Sequence, residues 1–287
     1  MIPSEFQYYS PATVDEAVGL LQQHGDEAKV IAGGHSLLPA MKLRLAQPSV
    51  LVDIGKIAGL KGITVNGNVS IGAGTTHREV ASSDAVRAAC GVLAECVAQI
   101  GDVQVRNRGT IGGSLAHADP AADLPAVALA LGATLSAKGP SGTRTISADD
   151  LFVEMLTTAL EPNEIVTSVT FPKLGQGEGA AYEKLRHPAS RYAIVGVAAY
   201  VKLDGGNVAA ARIAVTGAGP KATRQAAAEA ALVGTSGDEA AVAAASDKSG
   251  EGMDFLGDIH ASEEYRRAMV KVYTRRALTR ALERARG

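Results

Sequence analysis

Apolar residues recur at two periods along this chain, and the switches between them mark its elements. Val14, Ala17, Val18 and Leu21 share a helical face opened by a Thr13/Glu16 capping pair and stopped at Gly25, which predicts a first helix over 13–24. A β-rich run from Lys29 to Ala32 breaks at Gly33-Gly34, and a helical pattern resumes at Ser36 through Leu37, Leu38, Met41 and Leu45. Val50 to Ile54 predicts a second, mostly apolar strand. The result is a β-α-β-type unit with a glycine turn at its strand end.

From Gly55 the texture changes to short alternating runs such as Val69-Ser70-Ile71, the mark of a second unit. Thr76 and Glu79 form a capping box for a short helix at His77, and helices are predicted over 83–89 and 92–100. Val103, Val105, Arg106 and Arg108 read as extended, Gly109 to Ser114 as a loop, and Leu124-Pro125 as the start of an apolar helix ending at Leu131. Strand-like runs follow over 133–137, 142–146 and 164–171. Residues 172–179 hold three glycines and a proline, which makes them the clearest boundary by composition.

Beyond it, three strands are predicted over 180–185, 194–203 and 208–216, the last two joined by the hairpin signal Asp204-Gly205-Gly206-Asn207. Helices then take over: 224–233, a second capped by Ser236 and Glu239, and a long last one from Ser262 with Tyr265, Met269 and Val272 on one side. Glu263 and Glu264 at its start and Arg275, Arg276, Arg280 and Arg284 toward its end match the macrodipole. The basic face reads as solvated, with a subunit contact as the other reading. Residues 246–261 read as a loop lying over something. The expected units are 1–54, 55–174 and 178–287.

Composition narrows what such a chain can do. With 287 residues, a net charge of −2 and a sequence pI near 6.3, it is globular and lacks an electrostatic footprint for nucleic acid. The start, MIPSEFQYYSP, has neither a basic n-region nor an apolar core, and the longest apolar stretch, 125–135, is half the roughly 20 residues a membrane span needs. A cytoplasmic location is expected, with peripheral attachment at the inner membrane left open. Cys90 and Cys96, six apart in a helical segment, lie about 120° apart around its axis, which suits neither a zinc site nor an iron–sulfur cluster. They read as buried structural thiols. The six histidines lack HExxH or paired spacing, so no metal ligand is expected and redox work must use a bound organic cofactor.

Two stretches carry candidate chemistry. At Gly33-Gly34, backbone N–H groups uncovered by side chains and a following helix can hold an anion such as a phosphate. Neither GxGxxG nor GK[ST] is present, so the dinucleotide and P-loop fingerprints do not apply. Thr110-Ile111-Gly112-Gly113-Ser114 repeats the pattern of Gly-Gly followed by a small hydroxyl residue, and two such turns could close on one ligand. His117, Asp119 and Asp123 lie just after it, either as site groups or as a solvated loop with an Asp helix cap.

Together, AGGHSLLPAMKLR at 32–44 and VRNRGTIGGSLAHADPAADLPA at 105–126 resemble the FAD-binding subunits of molybdenum hydroxylases, the xanthine dehydrogenase family. Within it, the chain is most similar to the medium subunits of aerobic carbon monoxide dehydrogenases over its whole length. The resemblance implies an α+β fold of the vanillyl-alcohol-oxidase type. Two sub-domains would clasp FAD, and a C-terminal domain of a three-stranded antiparallel sheet with helices would follow.

Carried over residue by residue, the resemblance puts Ala32, Gly33, Gly34, His35 and Ser36 on the FAD diphosphate. Thr110, Ile111, Gly112, Gly113 and Ser114 fall against the diphosphate and ribityl chain, and Asp123 on ribityl hydroxyls. Ile100 and Tyr192 match positions against the isoalloxazine ring, and Ile165 an apolar position near the ring or its ribityl end. Lys184 matches a cation at the ring's carbonyl edge. The flavin would be non-covalent, although related oxidases join it to a histidine at the position of His35.

The implied activity is that of an oxidoreductase subunit in electron transfer, with no catalytic residue of its own. A small subunit with [2Fe–2S] clusters and a large molybdenum-cofactor subunit would be its partners in a heterohexamer, a dimer of three-subunit units. The other readings are a free-standing flavoenzyme acting directly on a small substrate and a phosphate-binding module without redox work. Neither the substrate of the complex nor its electron acceptor can be read from this chain.

Overall fold

The first strand, β1 (Gln7–Tyr9), lies beside the third, so the chain must leave the sheet, form helix α1 (Val14–His24) and return before the sheet is complete. The computed structural model describes residues 2–287. Thr13 caps α1 by accepting the Glu16 N–H, and Gly25, at φ +53°, ends it. The Glu16 carboxylate reaches back to the N–H of Ala12 instead of that of Thr13, so only half of the expected box forms. Strand β2 (Ala28–Ile31), helix α2 (Leu37–Lys42) and strand β3 (Val50–Asp53) complete a parallel sheet of order β1-β3-β2. Helix α2 stops at Lys42, short of the expected pattern, because Arg44 turns left-handed at φ +60° and leaves Leu45 80% exposed.

The second sheet holds β4 (Ile63–Asn66), β5 (Asn68–Gly72), β6 (Thr134–Gly139), β7 (Gly142–Ser147) and β10 (Ile165–Pro172), antiparallel in the order β4-β5-β10-β6-β7. A small hairpin of β8 (Phe152–Glu154) and β9 (Thr157–Thr158) stands apart. Helices α3 (His77–Ser82), α4 (Asp84–Ala98), α5 (Val103–Arg108), α6 (Ile111–His117), α7 (Leu124–Leu131) and α8 (Ala148–Leu151) fill the connections. The Thr76/Glu79 capping box forms in full. Helix α4 breaks at Cys90 (φ −155°, ψ 67°), where the two predicted helices meet. There the Ala89 carbonyl accepts the N–H of Leu174, tying the linker after the second sheet to the helix.

Two expectations in this region are corrected. Residues 103–108, read as extended on their valines, are helical because Asp102 caps the segment by accepting the Val105 N–H. Residues 110–114 are not an open loop: Thr110 is the N-cap of α6, and both glycines lie in its first turn.

The third sheet is antiparallel, β11 (Glu178–Arg186), β12 (Ala193–Asp204), β13 (Asn207–Thr216) and a two-residue strand β14 (Thr223–Arg224), one strand more than expected. One face packs on α7, which is buried at every position and lies between the second and third sheets. The other packs on α9 (Ala226–Leu232) and α11 (Glu263–Arg286), with α10 (Glu239–Asp247) beside them.

Asp238, not Ser236, caps α10, since its carboxylate accepts the Ala241 N–H. Helix α11 buries Val270, Tyr273, Ala277, Leu278, Ala281 and Leu282, whereas Tyr265 and Val272 face outward. Its basic face is only partly solvated: Arg275 and Arg276 are exposed, whereas the two arginines nearer its end are paired. Arg280 and Arg284 reach Glu95 of α4, and Arg280 also reaches Glu183 of β11.

Candidate functional site

Gly33 is where the two glycine turns meet. A Cβ on it would stand 2.2 Å from the Arg108 carbonyl oxygen and 2.9 Å from the Gly109 Cα, so the end of β2 touches the chain entering α6 only because the side chain is missing. Gly34 follows in the left-handed region at φ +76°. Among the described residues, the backbone N–H groups of Gly33, Gly34, His35 and Ser36 donate to no protein acceptor, so four adjacent donors remain for a ligand. The expected dipole contribution is small, because α2 is only six residues long. His35 is exposed, its Nδ1 3.3 Å from the Gly33 carbonyl.

The second turn is built differently. The N–H groups of Ile111, Gly112, Gly113 and Ser114 are all taken, by the carbonyls of Thr75 and Ala73, the Thr110 hydroxyl and the Thr110 carbonyl. It therefore offers a ligand a surface and not a row of donors. Gly112 lets α6 press on Ala73, whose Cβ would lie 2.4 Å from an added methyl, and Gly113 is exposed. His77 underlies this junction: its N–H donates to the Gly109 carbonyl at 2.9 Å and its ring edge fills the space a Gly109 side chain would need. The ring is 3% exposed with its Nδ1 unpartnered. Burial, with Arg106 nearby, lowers its pKa from 6.5 to about 4 and keeps it neutral.

Asp123 sits at the N-cap position of α7 but caps nothing. Its carboxylate turns instead toward β11, receiving the Tyr182 hydroxyl at 2.5 Å and the Lys184 ammonium at 2.8 Å. Lys184 has a side-chain exposure of 1%, so it is no surface charge. Tyr182 and Lys184 reach the same carboxylate because they are two apart on one strand and share a face. Gly196 on the neighbouring strand makes room for the phenol: an added Cβ there would lie 2.4 Å from the Tyr182 oxygen. Burial raises the Asp123 carboxyl above its ordinary range against the pull of Lys184, and pushes the Tyr182 hydroxyl well up.

Cations also gather on the turn that carries Ile100, at the negative end of α4. Lys184 donates to the Gln99 carbonyl at 3.4 Å, Arg106 to those of Ile100 and Gly101 at 2.9 and 3.0 Å, and Arg191 to that of Gly101 at 3.4 Å. Tyr192, next to Arg191, is 44% exposed. Partial burial and the carboxylates of Asp119 and Asp123 push its hydroxyl up to about 12.

Ile165 stands apart from this group. At 3% exposure it packs with Ala17, Leu21 and Leu60 in the core of the first unit. His77, Tyr182 and Arg106 were not singled out in the sequence. Tyr182 was findable, two positions before Lys184 in an alternating strand, whereas Arg106 was hidden by the extended reading of its segment.

Comparison with known proteins shows the family. Residues 4–174 match the family described as FAD binding domain in molybdopterin dehydrogenase, and residues 180–281 match the CO dehydrogenase flavoprotein C-terminal domain. The carbon monoxide dehydrogenase medium chain of Hydrogenophaga pseudoflava is 42% identical over 99% of both chains. The 6-hydroxypseudooxynicotine dehydrogenase complex subunit alpha of Paenarthrobacter nicotinovorans is 40% identical over 100% of this chain and 97% of its own. A solved carbon monoxide dehydrogenase from H. pseudoflava, lacking the Mo-pyranopterin moiety of the molybdenum cofactor, superposes with a TM-score of 0.96 at 44% identity over 99% of each chain. With a matched FAD-binding domain, a matched C-terminal domain and full-length relatives of this similarity, the chain belongs to the family of FAD-binding subunits of molybdenum-containing dehydrogenases.

Proposed function

We propose that this chain is the flavin-carrying electron-transfer subunit of a molybdenum hydroxylase of the carbon monoxide dehydrogenase type. It would receive electrons from [2Fe–2S] clusters of a small partner subunit and pass them to an external acceptor, while a large molybdenum subunit oxidises the substrate. The observation that carries the reading is the abutment of Gly33 on Arg108–Gly109, which brings a turn with four free backbone donors against the chain entering α6. An extended, doubly charged diphosphate suits such a pair of walls.

When bound, FAD supplies the chemistry of accepting electrons singly and releasing them in pairs. The chain's residues hold and tune it. Ala32 to Ser36 grip the diphosphate, and His35 is a contact without a covalent bond. Thr110 to Ser114 form the opposite wall. Asp123, with lone pairs left beyond Tyr182 and Lys184, accepts from ribityl hydroxyls. Ile100 and Tyr192 lie against the ring, and Lys184 with the Arg106 and Arg191 cations favours negative charge gathered there on reduction.

The substrate is left to the partner, since relatives of similar identity are named for carbon monoxide and for 6-hydroxypseudooxynicotine. We place the assembly as a dimer of three-subunit units. The native complex is expected to carry flavin that acid precipitation releases in full, together with molybdenum, iron and a mass matching six chains. Flavin that stays with the precipitated polypeptide would overturn the non-covalent assignment. A stable, active, molybdenum-free monomer would replace the subunit reading with that of a free-standing flavoenzyme, and a preparation that never takes up FAD would sink both.

A further inference from the structure

Tyr192 ends a tight turn organised around one histidine ring. The turn closes through the His187 N–H to the Tyr192 carbonyl (2.8 Å) and the Arg191 N–H to the His187 carbonyl (2.9 Å). The His187 Nδ1 accepts the N–H groups of Ala189 and Ser190 at 3.3 and 3.1 Å and lies 3.1 Å from the Ser190 hydroxyl. Backbone N–H groups can only donate, so this nitrogen carries no proton and the ring's hydrogen sits on Nε2. Nε2 is 3.2 Å from the Nδ1 of His260, with the ring centroids 4.2 Å apart. The direction is thereby fixed: His187 donates and His260 accepts.

His260 is itself firmly mounted. Its N–H and that of Ala261 donate to one oxygen of Asp258, whose other oxygen receives Arg266 at 2.5 Å. Arg266 is 5% exposed and also donates to the carbonyls of Ile194 and Gly217. One Asp258–Arg266 pair thus holds the Tyr192 segment from both sides, at His187 through His260 and directly at Ile194. Arg191 between them is left-handed at φ +62°, a conformation a non-glycine residue keeps when its surroundings over-determine it.

We propose that His187 and His260 are positioning residues for Tyr192: their ring-to-ring hydrogen bond fixes the turn that holds the phenol at the flavin site. This deepens the FAD reading and rests on it.

The test is the rate at which FAD leaves the native complex, read from the fluorescence of released FAD. His260→Asn keeps an acceptor near the Nδ1 position, so its release should stay as slow as that of the wild type. His260→Leu removes that acceptor and should speed release by roughly tenfold. Tyr192→Ala should release FAD at least as fast, and adding His260→Leu to it should change nothing further. His260→Leu release as slow as that of the wild type, or Tyr192→Ala release as slow as that of the wild type, would overturn the proposal while leaving the FAD reading intact. A wild-type complex without FAD would instead defeat the FAD reading and this inference with it.

Discussion

The Lys184 ammonium lies 2.8 Å from the Asp123 carboxylate in a pocket closed to solvent, 61 residues apart in sequence and on opposite sides of the seam between the flavin-binding unit and the C-terminal sheet. The pair joins the two parts of the chain as well as flanking the proposed flavin. Breaking a buried pair from one side leaves a charge without partner, a larger loss than deleting both. Lys184→Met is therefore expected to cost about 3–5 kcal/mol, and the Asp123→Asn/Lys184→Met double variant less than the sum of the two single changes. Urea unfolding of the four proteins measures the coupling. Single variants within about 1 kcal/mol of wild type would contradict a desolvated pair.

The two glycine positions should fail in different ways. Gly33→Ala drives a methyl into the Arg108 carbonyl and must separate the turns, so the flavin-to-protein ratio of the purified complex should fall to near zero. Gly112→Ala collides with the Ala73 methyl inside the second unit. It should lower stability by about 1–3 kcal/mol, as overpacked cores do, with FAD loss following from the unfolding. Flavin absorbance and thermal melts on both variants separate the two outcomes.

His77 gives stability a pH dependence of known sign. The folded protein lowers its pKa from 6.5 to about 4, while the unfolded chain takes up the proton at ordinary histidine pH. The contribution, about 3 kcal/mol, is whole above about 6.5 and is lost as the pH falls toward about 4. His77→Asn should be less stable near neutrality and show a shallower loss on acidification. Urea midpoints of both proteins across that window check it, and parallel slopes would refute the assignment.

Neither cysteine should react in the native state. Cys90 and Cys96 are fully buried, and burial pushes the Cys90 thiol up to about 12 and the Cys96 thiol well above its ordinary range. A thiol-disulfide reagent is expected to titrate no thiol in the native protein and two after denaturation. Rapid labelling of the folded chain would show that the Cys90 kink in α4 opens.

What the sequence made legible was local. Capping pairs with an apolar stripe defined α1 and α3, Leu124-Pro125 opened α7, and Asp204-Gly205-Gly206-Asn207 joined β12 to β13, because each signal acts within a few residues. The readings that failed needed information from farther away or from weaker signals. Val103 and Val105 favoured a strand until the Asp102 cap decided for a helix. On α11 the buried stripe of Val270, Tyr273, Ala277, Leu278, Ala281 and Leu282 is interleaved with arginines, too faint a pattern to outweigh Tyr265 and Val272.

By itself the sequence determined most of the element types, the position of the two Gly-Gly pairs and, through their combined resemblance, the family and its cofactor. Tertiary structure alone decided how those turns work: the first keeps its N–H groups free, while the second spends them on Ala73, Thr75 and Thr110. It also decided that Asp123 faces Tyr182 and Lys184 instead of capping α7. The physical reason is common to both cases. Which acceptor an N–H finds, and which cation a buried carboxylate meets, depends on segments brought together only when the sheets pack.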